Sequence, residues 1–312
     1  MKVFLMYTPL RLGLVAGVIL AGLCAWVGFS MLAGAPGAGV EKKAPANLVR
    51  PTLFSPDLRA SMVPHKAIYK IEMVEKRSSS QVTNISGDMY FEWKPGCEAW
   101  ATDHRFNLHY EYADSPHMHI TSDFATYETF DGKRFAFNSR RHRSNELYEE
   151  LRGEATTDPD SHTGHAVFSM PEGLSFDLPQ GTLFPMMHTL AVLQAAKEGK
   201  RFYNTTIFDG SDDQGPNEVN AFIGAPVNAM ALMTPSSKID TSLINNKAWK
   251  IRLAFFPSSS KEPESDYEMD VIFHENGVIS DMLVEYRDFS VVQKLVALEP
   301  VKPTECHEKQ KN

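Results

Sequence analysis

The sequence predicts a mainly β protein: a many-stranded antiparallel curved sheet, open or nearly closed into a barrel, with one packed α-helix. Three observations predict it. Apolar and aromatic residues recur at every second position through most of the chain, the pattern of a sheet with one buried face. Asp131-Gly132 and Asn276-Gly277, dipeptides that accept positive backbone angles, divide alternating runs into hairpins. One segment alone, residues 183–199, switches to helical spacing.

At the amino terminus, Lys2 and Arg11 precede an uncharged stretch from Leu12 to Ala33. It is long enough to cross a bilayer as a helix of about 20 residues. Residues 1–33 are therefore expected to be an export signal or a membrane anchor, with the amino end in the cytosol and the bulk of the chain beyond the membrane. The small residues Ala33-Gly34-Ala35 favour cleavage; Pro36, a poor first mature residue, favours an uncleaved anchor, and both readings stay open. Cys24, one residue out of step with the pattern of a lipid-modified precursor, reads as membrane filler. Residues 34–62 contain Pro36, Pro45, Pro51 and Pro56 and no sustained periodicity, so they are expected to be a flexible linker. An ordered first segment near Pro51 to Leu58 is the alternative.

A single domain is expected over residues 63–306, followed by a short tail, 307–312. Ala67, Tyr69, Ile71 and Met73 line one face of its first strand, with Lys70 and Glu72 on the other. Met89, Phe91 and Trp93 repeat the pattern up to a turn at Pro95-Gly96. The clearest strand runs through Trp100, Thr102, His104, Phe106, Leu108, Tyr110 and Tyr112; a helix would scatter these aromatics around its circumference. A hairpin spans Tyr127 to Phe137, a second joins Asp266–His274 to Val278–Arg287, and further strands cover Trp249–Phe255 and Phe289–Leu298. Within 183–199, Thr182 is the expected cap, Pro185 occupies the first turn and Gly199 ends the segment. Met186, Leu190, Leu193 and Ala196 predict an amphipathic helix packed by that stripe against the sheet. No second domain and no repeat array is expected.

The formal charge of −8 and pI near 5.8 argue against a nucleic-acid partner, whose phosphates need a basic surface. The densest basic run, Arg140-Arg141-His142-Arg143, reads as a solvated strand end. His117-Met118-His119 has a spacing compatible with chelation, but a structural zinc site needs four ligands and usually cysteine, so surface histidines are the expected reading and no metal is assigned. The acidic loop Asp209–Gly215 fails the EF-hand spacing, because Gln214 stands where glycine is needed and Asn220 where a bidentate glutamate should be. It reads as a turn between strands. No nucleophile elbow, phosphate-cradling glycine loop or H-E-x-x-H is present, and Ser258 to Lys261 matches S-x-x-K only inside a serine-rich loop. Neither catalytic residues nor a cofactor are assigned.

Beyond Cys24 only Cys97 and Cys306 remain. In an exported chain such a pair reads as a disulfide, with two separate thiols as the alternative. Closing nearly the whole domain, the bridge would stabilise it by up to ~5 kcal/mol in the chain-entropy model.

The chain from about Val63 to Cys306 resembles the EipB family of periplasmic cell-envelope integrity proteins. The resemblance rests on Pro64-His65-Lys66-Ala67-Ile68-Tyr69, Gly87-Asp88-Met89-Tyr90, Cys97, Phe184-Pro185-Met186-Met187-His188-Thr189-Leu190, Phe208-Asp209-Gly210-Ser211 and Cys306, in this order. It implies a periplasmic β-spiral with a helix against its concave side, pinned by a disulfide matching Cys97 and Cys306. It also implies a shape similar to lipoprotein carriers of the LolA and LolB type, and it brings no catalytic residues. The expectation is a non-enzymatic periplasmic binding or scaffolding protein that supports the envelope of a Gram-negative bacterium, with an envelope protein or lipid as partner and attachment to the inner membrane through residues 12–33 if the anchor persists. The alternative is a carrier or chaperone for lipid or lipoprotein acyl chains. An envelope hydrolase with a dispersed site is a third, weakly motivated reading.

Overall fold

The computed structural model describes residues 56–77, 80–158, 163–259 and 264–302. The apolar run 12–33, the linker as far as residue 55, His162, Lys261, Cys306 and the tail 307–312 lie outside the described residues.

A short helix α1 (Pro56–Ser61) leads into β1 (His65–Lys76), β2 (Val82–Pro95), β3 (Ala99–Tyr112), β4 (Met118–Thr129), β5 (Arg134–Arg143), β6 (Glu146–Asp158), β7 (Thr163–Met170) and β8 (Ser175–Leu178). Helix α2 (Pro185–Lys197) follows, and then β9 (Phe202–Ile207), β10 (Asn217–Val227), β11 (Ala248–Pro257), β12 (Tyr267–His274), β13 (Ile279–Tyr286) and β14 (Phe289–Pro300). All the strands join one sheet in the order β8-β7-β6-β5-β4-β3-β2-β1-β14-β13-β12-β11-β10-β9. Every pairing is antiparallel. The first and last strands are paired, from His65↔Pro300 to Lys76↔Phe289, so both ends of the sheet-forming chain lie in its middle. Its two edges, β8 and β9, are consecutive in sequence and are joined through α2.

The sheet is not closed, but its edges come near each other. Leu183, five residues after the end of β8, forms a parallel bridge with Ile207 of β9: its N–H donates to Thr206 O at 2.9 Å and its carbonyl accepts from Phe208 N at 3.0 Å. Five residues span at most roughly 18 Å. The sheet therefore curls almost into a ring, and the crossing segment covers part of the β9 edge that an open sheet would present.

The expected strands form with the expected faces. Along β3, Phe106, Leu108 and Tyr110 are buried and Arg105, Asn107 and His109 exposed. The two glycine dipeptides adopt positive φ at Gly132 (68°) and Gly277 (89°), but each sits in a loop of four residues rather than two. Gly132 N donates to Thr129 O, and Gly277 N to His274 O.

Three features differ from the sequence reading. Helix α2 is not amphipathic: every residue from Met186 to Leu193 is buried, together with Ala195 and Ala196. A curled sheet surrounds the helix, so a stripe on one face does not suffice and the whole circumference must be apolar. Thr182 does not cap it. Phe184 is the cap residue without a side-chain bond, while the Thr182 hydroxyl donates to Pro179 O at 2.6 Å. At the other end Gly199 (φ 75°) stops the helix as expected, with Gly199 N bonded to Ala196 O and Lys200 N to Ala195 O in a Schellman arrangement. Finally, ordered packing begins inside the expected linker. Leu58 and Met62 belong to the main core, and Val63 N donates to Asn276 O at 3.0 Å, fixing α1 to the β12–β13 hairpin.

A second, smaller core lies between β4–β8 and the segments flanking α2. Phe135 stacks on Phe184 with centroids 5.1 Å apart, and Phe208 meets Phe137 and Phe168 edge-on at 5.8 and 6.3 Å. The Phe208-Asp209-Gly210-Ser211 turn is locked into it. Gly210 has φ 65°, and a Cβ there would lie 2.3 Å from the Phe137 ring. Gly210→Ala should destabilise the protein by about 2–4 kcal/mol, because strained backbone and an overpacked aromatic core act together. Urea unfolding of the two proteins measures the difference.

Candidate functional site

The inner face of β2, β3 and β4 is laid out in rows fixed by the pairing register. Phe91, His104 and Phe124 form one row, Trp93, Thr102 and Thr126 the next, and Pro95, Trp100 and Glu128 the third. The small Thr102 and Thr126, hydroxyls 2.5 Å apart, lie among much larger neighbours. Opposite them stand the first turn of α2 and Phe273 of β12. Between these surfaces is a cleft with an empty volume of about 590 Å³, mouth included, lined mainly by Met62, Phe91, Trp93, Phe124, Met186 and Phe273, with Thr102, Thr126, Thr189, His104 and Asp209 as its polar members. A smaller cleft of about 280 Å³ shares Phe91, His104 and Gly277 with it and continues to His65, Tyr69 and Met89.

Buried polar groups hold this region. Glu128, 1% exposed, reaches from β4 to the start of α2, where Oε2 accepts from Met186 N at 2.7 Å and Oε1 from Met187 N at 2.9 Å. It supplies from another strand the cap that Thr182 does not. Burial pushes its carboxyl up to about 8, against the two amide donors that favour ionisation.

A second buried polar group involves Arg141 of β5, which pairs with Ser122 at the other end of β4 from Glu128. Arg141, expected at a solvated strand end, is buried: it pairs with Glu149, and its Nη2 donates to Ser211 O at 2.6 Å. Arg141 turns inward because Phe135, Phe137, Ser139 and Arg141 share one side of β5 by period two. Asp209 Oδ1 accepts from Ser211 N at 2.9 Å and Ser211 Oγ at 2.7 Å, so the acidic loop is a buried turn as well as a connection. Burial raises the Asp209 carboxyl to about 6 against the pull of Ser211 and Arg141, and Asp212 is raised by burial and by Asp209.

The histidines divide by face. His65 (Nδ1 to Val63 O, 2.7 Å) and His104 flank Phe91, with ring centroids 5.3 and 4.8 Å from it, and burial holds them neutral, down to about 4 and about 3. His274 is fixed between Asn246 Oδ1 and Ser280 Oγ, both at 2.9 Å. His119, from the suspected chelating pair, instead faces Asn107 Oδ1 at 2.5 Å and stacks on His109 at 4.6 Å. Among the described residues no group of three histidine, cysteine or carboxylate side chains is arranged to hold a metal. Cys97 lies on the exposed β2–β3 turn.

Four segments singled out in the sequence, far apart along the chain, converge on these two clefts: His65 and Tyr69 from the first, Met89 from the second, Pro185, Met186 and Thr189 from the helical one, and Asp209 from the turn. The sequence reading missed Glu128 and the pairing of Thr102 with Thr126, and it placed Arg141 in solvent. Period two placed all of these on inner faces, so a charged or small residue in an otherwise aromatic row was the available signal.

The family model described as EipB-like matches residues 57–302. The cell envelope integrity protein EipB of Brucella abortus (strain 2308) is 29% identical over 240 residues, covering 76% of this chain and 84% of the relative. A crystal structure of a beta-barrel-like protein of a domain of unknown function from Brucella abortus superimposes with a TM-score of 0.71 at 26% identity, covering 77% of this chain and 99% of that one.

The pH dependence of stability isolates Glu128. Its folded value, raised from an unfolded value near 4.5 to about 8, means that the folded state holds the proton more tightly, so its contribution is complete below 4.5 and lost as pH rises through 8. The unfolding free energy of the native protein minus that of Glu128→Gln should fall between about pH 5 and pH 8 and then level off. Urea titrations of both proteins across that range check the sign.

Proposed function

The chain belongs to the EipB-like family, and on that premise we propose that it is a non-enzymatic binding or scaffolding protein that supports cell-envelope integrity from the periplasm. The observation that carries the reading is the convergence of four of the segments on which the resemblance rests, which line two adjoining, mainly apolar clefts rather than scattering over the surface. The name of the Brucella relative agrees with it. Export through residues 1–33 accounts for the location, with cleavage or anchoring as its two forms.

A bridge between Cys97 and Cys306 forms part of this proposal. The described chain leaves β14 at the sheet end where Val301 N donates to Pro64 O, and the Cys97 turn lies at the same end two strands away. Two strand spacings are about 10 Å, a distance that the residues between Lys302 and Cys306 can cover.

The cleft also favours a second reading, a carrier of lipid or acyl chains, because its walls are aromatic and methionine side chains that adapt to an aliphatic occupant.

Deleting the gene should sensitise cells to detergents and to antibiotics that target the cell wall, with resistance restored by the full chain; unchanged sensitivity would refute the envelope role. Thiol labelling of the unreduced, denatured protein should leave Cys97 and Cys306 unmodified, with both reacting after reduction.

A further inference from the structure

We propose that the cleft binds an amphiphile with one unbranched aliphatic chain and a polar end that donates a hydrogen bond and carries no negative charge. This rests on the binding reading above and adds to it the chemistry of the ligand.

The space exists because of residue size. The rows on either side carry Phe91 and Phe124 and, on the other side, Trp100, while Thr102 and Thr126 face each other on adjacent strands in the row that Trp93 begins. Interiors are normally filled to crystal-like density, so two small side chains there leave a gap that larger ones would close. The gap opens between apolar walls, which suits a chain of methylenes, each contributing about 0.8 kcal/mol on burial.

The polar atoms around it select the end group. Three cleft residues, Trp93, His104 and Asp209, carry buried atoms with no hydrogen-bond partner among the described residues: Nε1, Nδ1 and Oδ2 respectively. Buried polar atoms are rarely left so, and an unmet acceptor is costly. Asp209 Oδ1 is already occupied by Ser211, so Oδ2 is the acceptor that a ligand hydroxyl or N–H would satisfy. The Thr102–Thr126 pair, in which one hydroxyl donates to the other, keeps a second donor and further acceptor capacity.

An anionic end lacks a counterion here. Among the described residues neither lysine nor arginine lines the cleft, and Arg141, the cation acting on Asp209, lies outside its lining, paired with Glu149 and donating to Ser211 O, with only its Nε left without a partner. His104 is buried without a charge partner. A carboxylate or phosphate would thus be desolvated next to Asp209 with nothing to offset it.

Two probes with the same chain test this, 12-bromododecanol and 12-bromododecanoate, added at pH 8 to the native protein isolated from the cell envelope. Bromine quenches tryptophan on contact; Trp93 lines the cleft and Trp100 lies 5.2 Å from it, centroid to centroid. The alcohol should quench saturably, with an affinity at least about tenfold above that of the carboxylate. Thr126→Phe, which fills the gap, should abolish the quenching while unfolding remains cooperative; if that variant does not fold, Thr102→Leu serves the same purpose. Equal or tighter binding of the carboxylate would overturn the end-group assignment. Absence of quenching by either probe, or quenching untouched by a folded filling variant, would overturn the cleft as the site. Neither result bears on the envelope phenotype of the deletion strain, so the two readings fail separately.

Discussion

The pairing of β1 with β14 is the constraint from which the rest of the architecture follows. Because the two ends of the sheet-forming chain meet in the middle of the sheet, its free edges are two strands that are neighbours in sequence, β8 and β9. The chain must cross from one to the other within residues 179–201, and it does so through the interior of the curl. Sheet twist favours that curvature, and antiparallel pairing of neighbours sustains it across fourteen strands. A helix of about 10–12 Å diameter then fills the space a nearly closed sheet would otherwise leave empty. Leu183, on the way, shields part of an edge that would invite pairing with another chain.

An interior helix creates its own difficulty, since its first turn presents amide donors where water is scarce. Glu128 meets two of them from the sheet, so the helix is positioned by a strand and not by its own sequence. The Arg141, Glu149 and Ser211 contacts act similarly on the turn after β9, tying it to β5 and β6. Such groups lose hydration on burial, and they specify how elements meet more than they add to net stability. Around them the aromatic cluster of Phe135, Phe137, Phe184 and Phe208 fixes the orientation of the helix entry.

The cleft lies where these constraints leave space, between the capped helix start, the threonine rows and the β12–β13 hairpin. It sits beside buried charges, yet its walls are apolar, and that combination sets which molecules it can accept. Its construction from segments distant in sequence makes it a product of the curled sheet, and Met62, directly after α1, contributes to its lining.

By itself the sequence determined the β class, the strand faces, the positive-φ turns, the place of Pro185 in the first turn of the helix and its stop at Gly199, because period-two burial, glycine conformation and proline geometry are local effects written residue by residue. The tertiary structure alone decided that the helix is surrounded and not laid on a surface, that Arg141 points inward, and that Glu128 rather than Thr182 caps α2. The physical reason is that these depend on what lies across the curl, at sequence separations such as the 58 residues between Glu128 and Met186. Strand register, set by the buried-face pattern and the turns, fixes those distances only once many strands are paired.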